Sequence, residues 1–372
     1  MDLIVRTNPG FEDMTKKEFE NNGYFNIKIL KDGFLIIEDL KEIDIAKITY
    51  NFRSINYSGI LLKIIDLKNL NTLKEEISKI KWGDFISGPF AVRSENINSD
   101  LRSLEINSIV GEIIKEKTGC KVDLEYPDFL VKVFLLKDKI IVSLDLAGYE
   151  LWKRGYRIFM HPSALKSTLA FQMILFSEWD CNRNLLDPLC GSGTIPIEAC
   201  IYARNIPSQY WNKNKILMRN YSFLNIDDSF FEKEDKKIKK IKLEVMGFDK
   251  NLKYLRGAEI NATRALVRDT IRFSRIELEW IDVKLGEGVI DCIITNPPFG
   301  LKEGNMEEAK KILKLLFYQA EYILKPDGKL TVITIHPKEA KEFARKYNLE
   351  LEKEKEVYHG NLKTHVLLFK KI

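Results

Sequence analysis

The sequence predicts an α/β fold with a doubly wound sheet in its C-terminal half, preceded by an α+β N-terminal region. From Leu185 onward, short apolar runs alternate with helical patterns, which is typical of a parallel sheet covered by helices. The last segment, 355–371, has two apolar runs around Gly360 and Asn361, which predicts a hairpin and antiparallel strands at the end of the sheet. The composition changes near Gly148, where we place the division between the two parts.

The N-terminal region combines strands with amphipathic helices and contains no cluster of candidate catalytic residues. Residues 103–118 have the apolar spacing of a helix, and Gly119 is expected to end it. The apolar runs that predict strands are 25–30, 33–38, 128–136 and 139–148. We expect this region to bind a partner or to position the rest of the chain.

The C-terminal half supplies five predicted strands. They are 184–187 (NLLD), 244–249 (EVMGFD), 276–282 (IELEWID), 289–295 (VIDCIIT) and 329–335 (KLTVITI). Ligands of open α/β sheets bind beyond the carboxyl ends of the strands. The chemistry of the protein is therefore expected at these ends.

Bulk composition limits the class of protein. The chain is 45% hydrophobic and carries a net charge of +5, which permits a nucleic-acid partner without requiring one. No apolar run has the length of a membrane span and the first residues lack the order of a signal peptide, so we expect a cytoplasmic protein with no membrane partner. The cysteines form no C-x-x-C pair and the histidines have no metal-ligand spacing, so we expect neither a disulfide framework nor a metal site.

The segment 187–199, DPLCGSGTIPIEA, follows the first of these strands. Gly191 and Gly193 allow a tight turn, and the helix that follows presents free amide groups to an anion. Pro196 replaces the third glycine of a dinucleotide motif and no P-loop pattern is present, so a pyrophosphate ligand is not favoured. A small anion at the turn and a cation at Asp187 match S-adenosylmethionine. A turn of purely structural value is the alternative.

Two further acidic residues end the next predicted strands. Asp249 is placed to take the ribose hydroxyls of a nucleoside, and Asp282 to reach an adenine amino group. Either aspartate alone is commonly a strand cap, but together with the glycine turn they favour a nucleoside cofactor. A long insertion, about 207–243, separates the turn from Asp249. Its aromatic, amide and lysine residues suit nucleic-acid stacking, and a loop covering the sheet is the alternative.

Residues 295–300, TNPPFG, end the fourth predicted strand of the C-terminal half. Asn296 offers a side-chain carbonyl, and the stiff Pro297–Pro298 backbone holds another carbonyl with no competing amide hydrogen on either proline. Two fixed acceptors suit an exocyclic amine, which they orient toward a methyl donor without a strong base. Phe299 supplies a flat apolar face for a base taken out of its stack. A plain Asn-Pro-Pro turn is the structural alternative.

DPLCGSGT and NPPFG together resemble the amino-methyltransferase branch of the class I S-adenosylmethionine-dependent enzymes, which have a Rossmann-like fold. HPSALKSTLA, residues 161–170, resembles the motif that helps to close over the methionine moiety in this branch. The resemblance implies S-adenosylmethionine as cofactor and a catalytic role for Asn296, Pro297, Pro298 and Phe299. The implied cofactor-binding residues are His161, Pro162, Leu165, Asp187, Cys190, Gly191, Gly193, Thr194, Asp249, Lys250, Asp282, Val283 and Asn296.

Residues 88–148 resemble a THUMP domain, an RNA-binding module that a small ferredoxin-like domain usually precedes. The chain apart from the insertion is similar to the tRNA guanine-N2 methyltransferases that modify position six of the acceptor stem. The implied parts are a ferredoxin-like domain (1–58), a THUMP domain (59–148), a linker (149–165) and a methyltransferase domain (166–372). The implied partner is tRNA, held by its acceptor stem and 3′ CCA end, and we expect a monomer.

The chain departs from the THUMP pattern in its candidate RNA-binding residues. Many THUMP domains carry basic residues where this chain has SENINSD, residues 94–100. We therefore assign the RNA contacts to other basic residues, namely Arg93, Arg102, Lys153, Arg154 and Arg157.

Alternative functions stay open at this point. Residues 185–208 are also similar to the large-subunit ribosomal RNA guanine-N2 enzymes, and guanine 10 of tRNA would suit the same chemistry. A DNA amino-methyltransferase would share NPPF but not the RNA-binding module. A carbon-methylating enzyme would need a nucleophilic cysteine, whereas Cys190 lies within the glycine turn as a small packing residue. A non-catalytic RNA-binding scaffold would be expected to lose Asp187, Gly193 or Asn296, and all three are present.

Overall fold

The computed structural model describes residues 1–66, 69–301 and 305–372. These residues form two units, each with its own seven-stranded sheet. The N-terminal unit consists of Met1–Thr7, Phe19–Leu151 and Asn212–Lys236, and the C-terminal unit consists of Asn8–Glu18, Trp152–Trp211 and Lys237–Ile372.

Strands and helices are numbered along the chain. The strands of the N-terminal unit are β1 (Leu3–Arg6), β2 (Ile27–Ile29), β3 (Phe34–Ile37), β4 (Tyr57–Asp66), β5 (Phe90–Asn96), β6 (Phe129–Leu135) and β7 (Lys139–Asp145). Those of the C-terminal unit are β8 (Leu185–Asp187), β9 (Val245–Asp249), β10 (Ile271–Arg275), β11 (Ile290–Thr295), β12 (Leu324–Thr334), β13 (Leu349–His359) and β14 (Leu362–Lys371). The helices are α1 (Glu12–Asn21), α2 (Glu42–Asn51), α3 (Leu70–Ser78), α4 (Ser103–Thr118), α5 (Ser167–Phe176), α6 (Thr194–Ala203), α7 (Asp228–Asp235), α8 (Leu252–Arg264), α9 (Ile281–Lys284), α10 (Met306–Ile323) and α11 (Pro337–Lys346).

The N-terminal sheet has the strand order β2-β3-β1-β4-β7-β6-β5. Neighbouring strands are antiparallel except for the parallel pair β5 and β6. The first four strands and helices α1 and α2 follow the βαββαβ order of a ferredoxin-like unit, and the predicted α+β class is confirmed. Strand β4 crosses the boundary that we predicted after residue 58, so the two N-terminal parts share one sheet.

Helix α4 begins and ends where its apolar pattern indicates. Gly119 follows its last residue with a φ of 70°, and its backbone N–H donates to the carbonyl of Lys115 at 2.8 Å. This left-handed conformation is costly for residues with a Cβ, which explains why a glycine ends the helix.

Part of the long insertion belongs to the core of the N-terminal unit. Met218, Tyr221 and Phe231 are buried in the same apolar cluster as residues of its sheet. The backbone N–H of Met218 donates to the carbonyl of Leu146 at 2.8 Å, directly after strand β7. Residues 212–236 are therefore a structural component of this unit, which the sequence did not indicate.

The C-terminal sheet has the order β10-β9-β8-β11-β12-β14-β13. The strands from β10 to β12 are parallel, whereas β14 is antiparallel to both β12 and β13. The predicted doubly wound sheet and its terminal hairpin, which turns at Gly360 and Asn361, are confirmed. Since β8 has β9 on one side and β11 on the other, the crevice beyond the ends of β8 and β11 is the topological switch point.

Helices cover both faces of this sheet. Successive residues of β11 enter opposite cores, as strand geometry requires: Ile294 packs with helices α5 and α6, and Ile293 packs with Phe317 of α10. The predicted strand 276–282 is wrong. The strand is β10, which pairs with β9 from Ile271 to Arg275, and the chain then forms a short 3₁₀ turn and helix α9.

Across the ranges that the structure describes, none of the helices is both long and apolar enough to cross a membrane.

Candidate functional site

A cavity of about 660 Å³ opens at the carboxyl edge of the C-terminal sheet. It lies at the switch point, where an open α/β sheet is expected to bind its ligand. The lining comes from residues 161–165, from the turn after β8, from the ends of β9 and β11, from 276–279, from the start of α10 and from the terminal hairpin. Segments distant in the sequence therefore meet around one space.

Asp187 is a buried carboxyl group that lines this cavity. Thr295 Oγ1 donates to its Oδ1 at 2.7 Å, and the backbone N–H of Leu189 donates to the same oxygen at 3.2 Å. Burial raises the pKa of Asp187 to about 7, although both hydrogen bonds act in the opposite direction. A cationic ligand would favour the charged carboxylate and relieve part of this desolvation cost.

The glycine turn brings backbone donors beside a second carboxylate. Gly191 has a φ of 51° and donates its N–H to Asp249 Oδ2 at 3.0 Å. Gly193 has a φ of 79°, and a Cβ there would lie 3.0 Å from the Cβ of Ala258. Gly193 does not line the cavity. It allows helix α6 to begin close to α8, with the N-terminus of α6 at the cavity.

His161 also lines the cavity, next to Gly191, where an added Cβ would lie 3.4 Å from the His161 ring. Its ring centroid lies 4.2 Å from that of Tyr254 in an edge-on arrangement, and its Nδ1 accepts a 3.1 Å hydrogen bond from the N–H of Ser163. Burial lowers the pKa of His161, and the carboxylate of Asp249 only partly opposes this. The imidazole is therefore neutral near pH 7, and Nδ1 is its acceptor atom.

The backbone of Ser163 holds the side-chain amide of Asn296 in one orientation. Its Nδ2 donates to the carbonyl of Ser163 at 3.2 Å, which fixes the side-chain amide. The carbonyl oxygen of the same amide, Oδ1, is buried and has no hydrogen-bond partner among the residues described. A buried acceptor without a donor costs free energy in the unliganded fold, and a bound amine would remove that cost.

The rest of the NPPF segment is also placed at the cavity. Pro297, Pro298 and Phe299 all line it. The backbone carbonyl of Phe299 lies 3.2 Å from His336 Nε2, so the imidazole anchors the backbone that carries the aromatic ring. The segment presents an amide acceptor and an apolar ring to the same space.

Three of the predicted cofactor-binding residues do not line the cavity: Gly193, which shapes the turn, and Asp282 and Val283, which lie elsewhere. Asp282 and Val283 do not line the cavity, because the chain leaves the sheet at Arg275 and Asp282 falls on helix α9. Asp282 Oδ1 instead lies 3.3 Å from Gln319 Nε2 of α10, and the Val283 side chain is exposed. The residues that line the cavity here are Ile276, Leu278 and Glu279. The other predicted cofactor-binding and catalytic residues that line it are His161, Pro162, Leu165, Asp187, Cys190, Gly191, Thr194, Asp249, Lys250, Asn296, Pro297, Pro298 and Phe299.

The predicted RNA-binding residues differ in their exposure to solvent. Arg93 and Arg102 are exposed in the N-terminal unit, and Lys153 is exposed in the C-terminal unit. Arg154 is buried, with its Nε 3.6 Å from Glu198 Oε1, so its assignment to direct RNA contact is wrong. Arg157 is half-buried and donates from Nη1 to Ser167 Oγ at 3.3 Å.

Several cavity residues escaped the sequence prediction. Tyr254 of α8, Glu308 of α10, and His359 and Leu362 of the terminal hairpin all line the cavity. The sequence pattern placed the hairpin at the end of the sheet but did not indicate that its turn would reach the cavity. For Tyr254, the proximity to Asp249 in the sequence was a usable indication.

Metal-ligating side chains are not grouped at this site. Within residues 1–66, 69–301 and 305–372, no three His, Cys, Asp or Glu side chains come together in a group that could hold a metal ion.

Comparison with known proteins gives consistent matches over the whole chain. Residues 154–365 match the RMKL-like methyltransferase domain, and residues 68–145 match the THUMP domain. The chain is 36% identical to the tRNA (guanine(6)-N2)-methyltransferase of Methanocaldococcus jannaschii, with 98% of this chain and 99% of that protein covered. It is 28% identical to the protein of the same name from Archaeoglobus fulgidus, with 99% and 92% covered.

A solved structure is similar to the chain over its full length. The crystal structure of a possible methylase from Clostridium difficile 630 superposes with a TM-score of 0.86 at 26% identity. The match covers 100% of this chain and 98% of that one.

Proposed function

Because the chain belongs to the RMKL-like methyltransferase family, we propose that it transfers a methyl group from S-adenosylmethionine to the exocyclic N2 amine of a guanine in tRNA. The observation that carries this proposal is the side chain of Asn296. Its amide is fixed by Ser163, and its buried Oδ1 has no hydrogen-bond partner among the residues described. An aromatic amine supplies the N–H donor that this oxygen needs.

The residues of the cavity fit the cofactor. Asp187 is a buried carboxylate that a cationic ligand would stabilise, and the backbone N–H groups of Thr194 and Ile195 in the first turn of α6 suit a carboxylate. Asp249 and Lys250 at the end of β9 line the same cavity, and Leu278 and Glu279 line the part for which we had predicted Asp282. When bound, S-adenosylmethionine supplies an electrophilic methyl group on its sulfonium.

The residues of the protein contribute to the reaction by positioning the amine and the base of the substrate. Asn296 Oδ1 and a backbone carbonyl of the Pro297–Pro298 segment would hold the two hydrogens of the amine and orient its nitrogen toward the methyl group. Phe299 would support the base after it leaves its stack, a step that costs a few kcal/mol. Because the two acceptors orient the neutral amine, no strong base is needed before attack.

The preferred substrate is tRNA with its target guanine at position six of the acceptor stem. The curated relatives that carry this activity in their names match nearly the full length of this chain. The match to a THUMP domain adds an RNA-binding module, which we propose grips the single-stranded 3′ CCA end. We further propose that the protein acts as a monomer without a metal ion.

The test uses the full chain, because each unit is built from separate segments of the sequence. Residues 149–372 alone would lack Phe11, which is buried in the apolar core of the C-terminal unit. Purified protein is incubated with labelled cofactor and a tRNA transcript, and nucleosides are identified by mass spectrometry. We expect N2-methylguanosine at position six and strongly reduced activity when the terminal CCA is removed. Methylation of large-subunit ribosomal RNA fragments without methylation of tRNA would replace this substrate with the alternative.

A further inference from the structure

Asn261 is a buried polar side chain of α8 that the proposed reaction leaves without a role. Its Oδ1 accepts from the backbone N–H groups of Ile158 at 3.0 Å and Phe159 at 2.9 Å. Its Nδ2 donates to the carbonyls of Phe159 at 2.8 Å and Ser192 at 3.1 Å. All four hydrogen-bonding positions of the amide are therefore used. One side chain joins residues 158–165, here called the cavity segment, to the glycine turn.

One face of α8 carries the contacts to the cavity segment. Gly257 lies one turn before Asn261 on the same face of the helix. A Cβ at Gly257 would overlap the ring of Phe159, so the ring lies directly on the backbone of the helix. About one turn earlier, the ring centroid of Tyr254 lies 4.2 Å from that of His161. Two turns of α8 therefore hold the start of the cavity segment.

The cavity segment in turn holds the acceptor amide of the proposed reaction. The carbonyl of Ser163 accepts from Asn296 Nδ2 at 3.2 Å. Ser163 and Ser192 line the cavity, whereas Asn261 does not. Asn261 can therefore act on a ligand only through the backbone that it holds.

We propose that Asn261 is a positioning residue, which fixes the cavity segment against the glycine turn and, through Ser163, sets the orientation of the Asn296 amide. This inference rests on the methyl transfer proposed above. A displacement of about 1 Å in a group that orients the reactants can cost on the order of 100-fold in rate. The cofactor side and the amine side of the cavity share this one support, so loss of Asn261 should affect both.

A purely structural role is the alternative, because four buried hydrogen bonds also stabilise the fold. Such a role would lower the melting temperature and leave the rate of the folded enzyme unchanged. A double-mutant cycle distinguishes the two. If Asn261 acts through Asn296, its substitution should add little once Asn296 is alanine, since no amide is left to orient.

The test uses the full chain and single-turnover methylation of tRNA with saturating cofactor and excess enzyme. Asn261→Ala is expected to lower the rate about 10-fold or more. It should also weaken the affinity for S-adenosylmethionine about 3- to 10-fold in calorimetric titration. In the Asn296→Ala background, the same substitution should lower the rate by less than about 2-fold.

Asn184→Ala is the matched control. Asn184 also joins separate backbone segments, because its Oδ1 accepts from the N–H of Asp291 at 2.7 Å and its Nδ2 donates to the carbonyl of Val289 at 2.8 Å. It directly precedes β8, at the end of the strand that is remote from the cavity. Asn184→Ala should change neither the rate nor the cofactor affinity.

Gly257→Ala tests the same support without removing a hydrogen bond. Alanine favours a helix more than glycine does, so α8 is not weakened, but the added Cβ must displace the ring of Phe159. We expect this variant to lower the rate and the cofactor affinity in the same direction as Asn261→Ala. It decides the question if thermal melting shows that Asn261→Ala is unfolded.

The outcomes separate this inference from the proposed function. Wild-type rate and cofactor affinity in a folded Asn261→Ala protein would overturn it. Equal losses in Asn184→Ala, or an undiminished loss of rate in the Asn296→Ala background, would overturn it as well. If the wild-type protein methylates no guanine in tRNA, the proposed function fails. The cofactor affinities of the Asn261, Gly257 and Asn184 variants then still decide whether Asn261 positions the cavity segment.

Discussion

Thr295 Oγ1 donates a 2.7 Å hydrogen bond to Asp187 Oδ1, which joins the end of β11 to the end of β8. Asp187 begins the glycine turn of the cofactor side, and Thr295 directly precedes Asn296 of the amine side. The proton state of one carboxyl group is therefore connected to the strand end that carries the acceptor amide.

The first prediction concerns the pH dependence of cofactor binding. Burial raises the pKa of Asp187 to about 7. The protonated form therefore contributes stability that is complete below about pH 4 and is lost as the pH rises through about 7. A cationic cofactor favours the carboxylate, so its affinity should rise up to about tenfold per pH unit below that pKa. Calorimetric titration measures this, and Asp187→Asn should bind weakly and without the pH dependence.

A matched variant tests the cause. Thr295→Val removes the hydrogen bond that lowers the pKa of Asp187, so the rise in affinity should move to higher pH. A wild-type affinity that stays constant through this range would contradict the assigned role.

The second prediction concerns the chemical step. Asn296→Ala should lower the single-turnover methylation rate by on the order of 100-fold or more, because the amine loses a fixed acceptor in the transition state. Cofactor affinity, measured in parallel, should change little. A variant with the full wild-type rate would refute the role of this side chain.

The third prediction separates base capture from chemistry. Phe299→Ala should raise the KM for tRNA, since stacking of a base on an aromatic ring is worth about 1–3 kcal/mol. Phe299→Tyr keeps the ring and should be mild. Both variants keep the backbone carbonyl that contacts His336, so the anchor of the segment is unchanged. Equal KM values for the alanine and tyrosine variants would argue against stacking.

The fourth prediction concerns a buried polar network in the C-terminal unit. Tyr156 Oη donates to Glu198 Oε1 at 2.8 Å, and Arg154 lies beside the same oxygen. Glu198→Ala removes a buried carboxylate that pairs with a buried cation and should lower the free energy of unfolding by about 3–5 kcal/mol. Denaturant unfolding measures this. Asp327→Ala, which removes a surface pair with Lys370, is the control and should change it by less than about 1 kcal/mol.

The fifth prediction tests the structural role of the insertion. Phe231 is buried in the core of the N-terminal unit, and its ring centroid lies 5.0 Å from that of Tyr50. Phe231→Ala should destabilise that unit by about 3–5 kcal/mol through loss of apolar burial and a cavity. Phe25→Ala, at an exposed position of the same unit, should have little effect. Differential scanning calorimetry of the full chain compares the two, and equal melting profiles would exclude a core role for the insertion.

Local patterns predicted the parts of the fold that depend on local chemistry. The strand ends at Asp187, Asp249 and Thr295 follow from short apolar runs with polar ends, and the end of α4 follows from Gly119. The strand predicted at 276–282 is wrong for a reason that lies outside the local sequence. The length of β10 is set by its pairing with β9, which ends at Arg275 opposite Asp249, and no glycine or proline near that point marks the end.

Residues assigned by type alone were the least predictable. Arginine is usually exposed, and only the fold shows that Arg154 has Glu198 as a buried partner. His359 and Asn296 are separated by more than sixty positions in the sequence, and the antiparallel pairing of β13 with β14 brings the hairpin turn to the cavity. The core role of residues 212–236 likewise depends on contacts with strands that lie far earlier in the chain.

The membership of residues 212–236 in the N-terminal unit constrains how the protein can fold during its synthesis. The ribosome completes β1 to β7 long before it has made Tyr221 and Phe231, so the core of the first unit stays unfilled while the start of the second is being translated. Phe11 is synthesised early, before the helices and strands of the C-terminal unit that bury its side chain. The N-terminal unit therefore cannot complete its core before residues 212–236 are synthesised, and the C-terminal unit cannot complete its core before its last strands are synthesised. The nascent chain keeps apolar surface exposed until then.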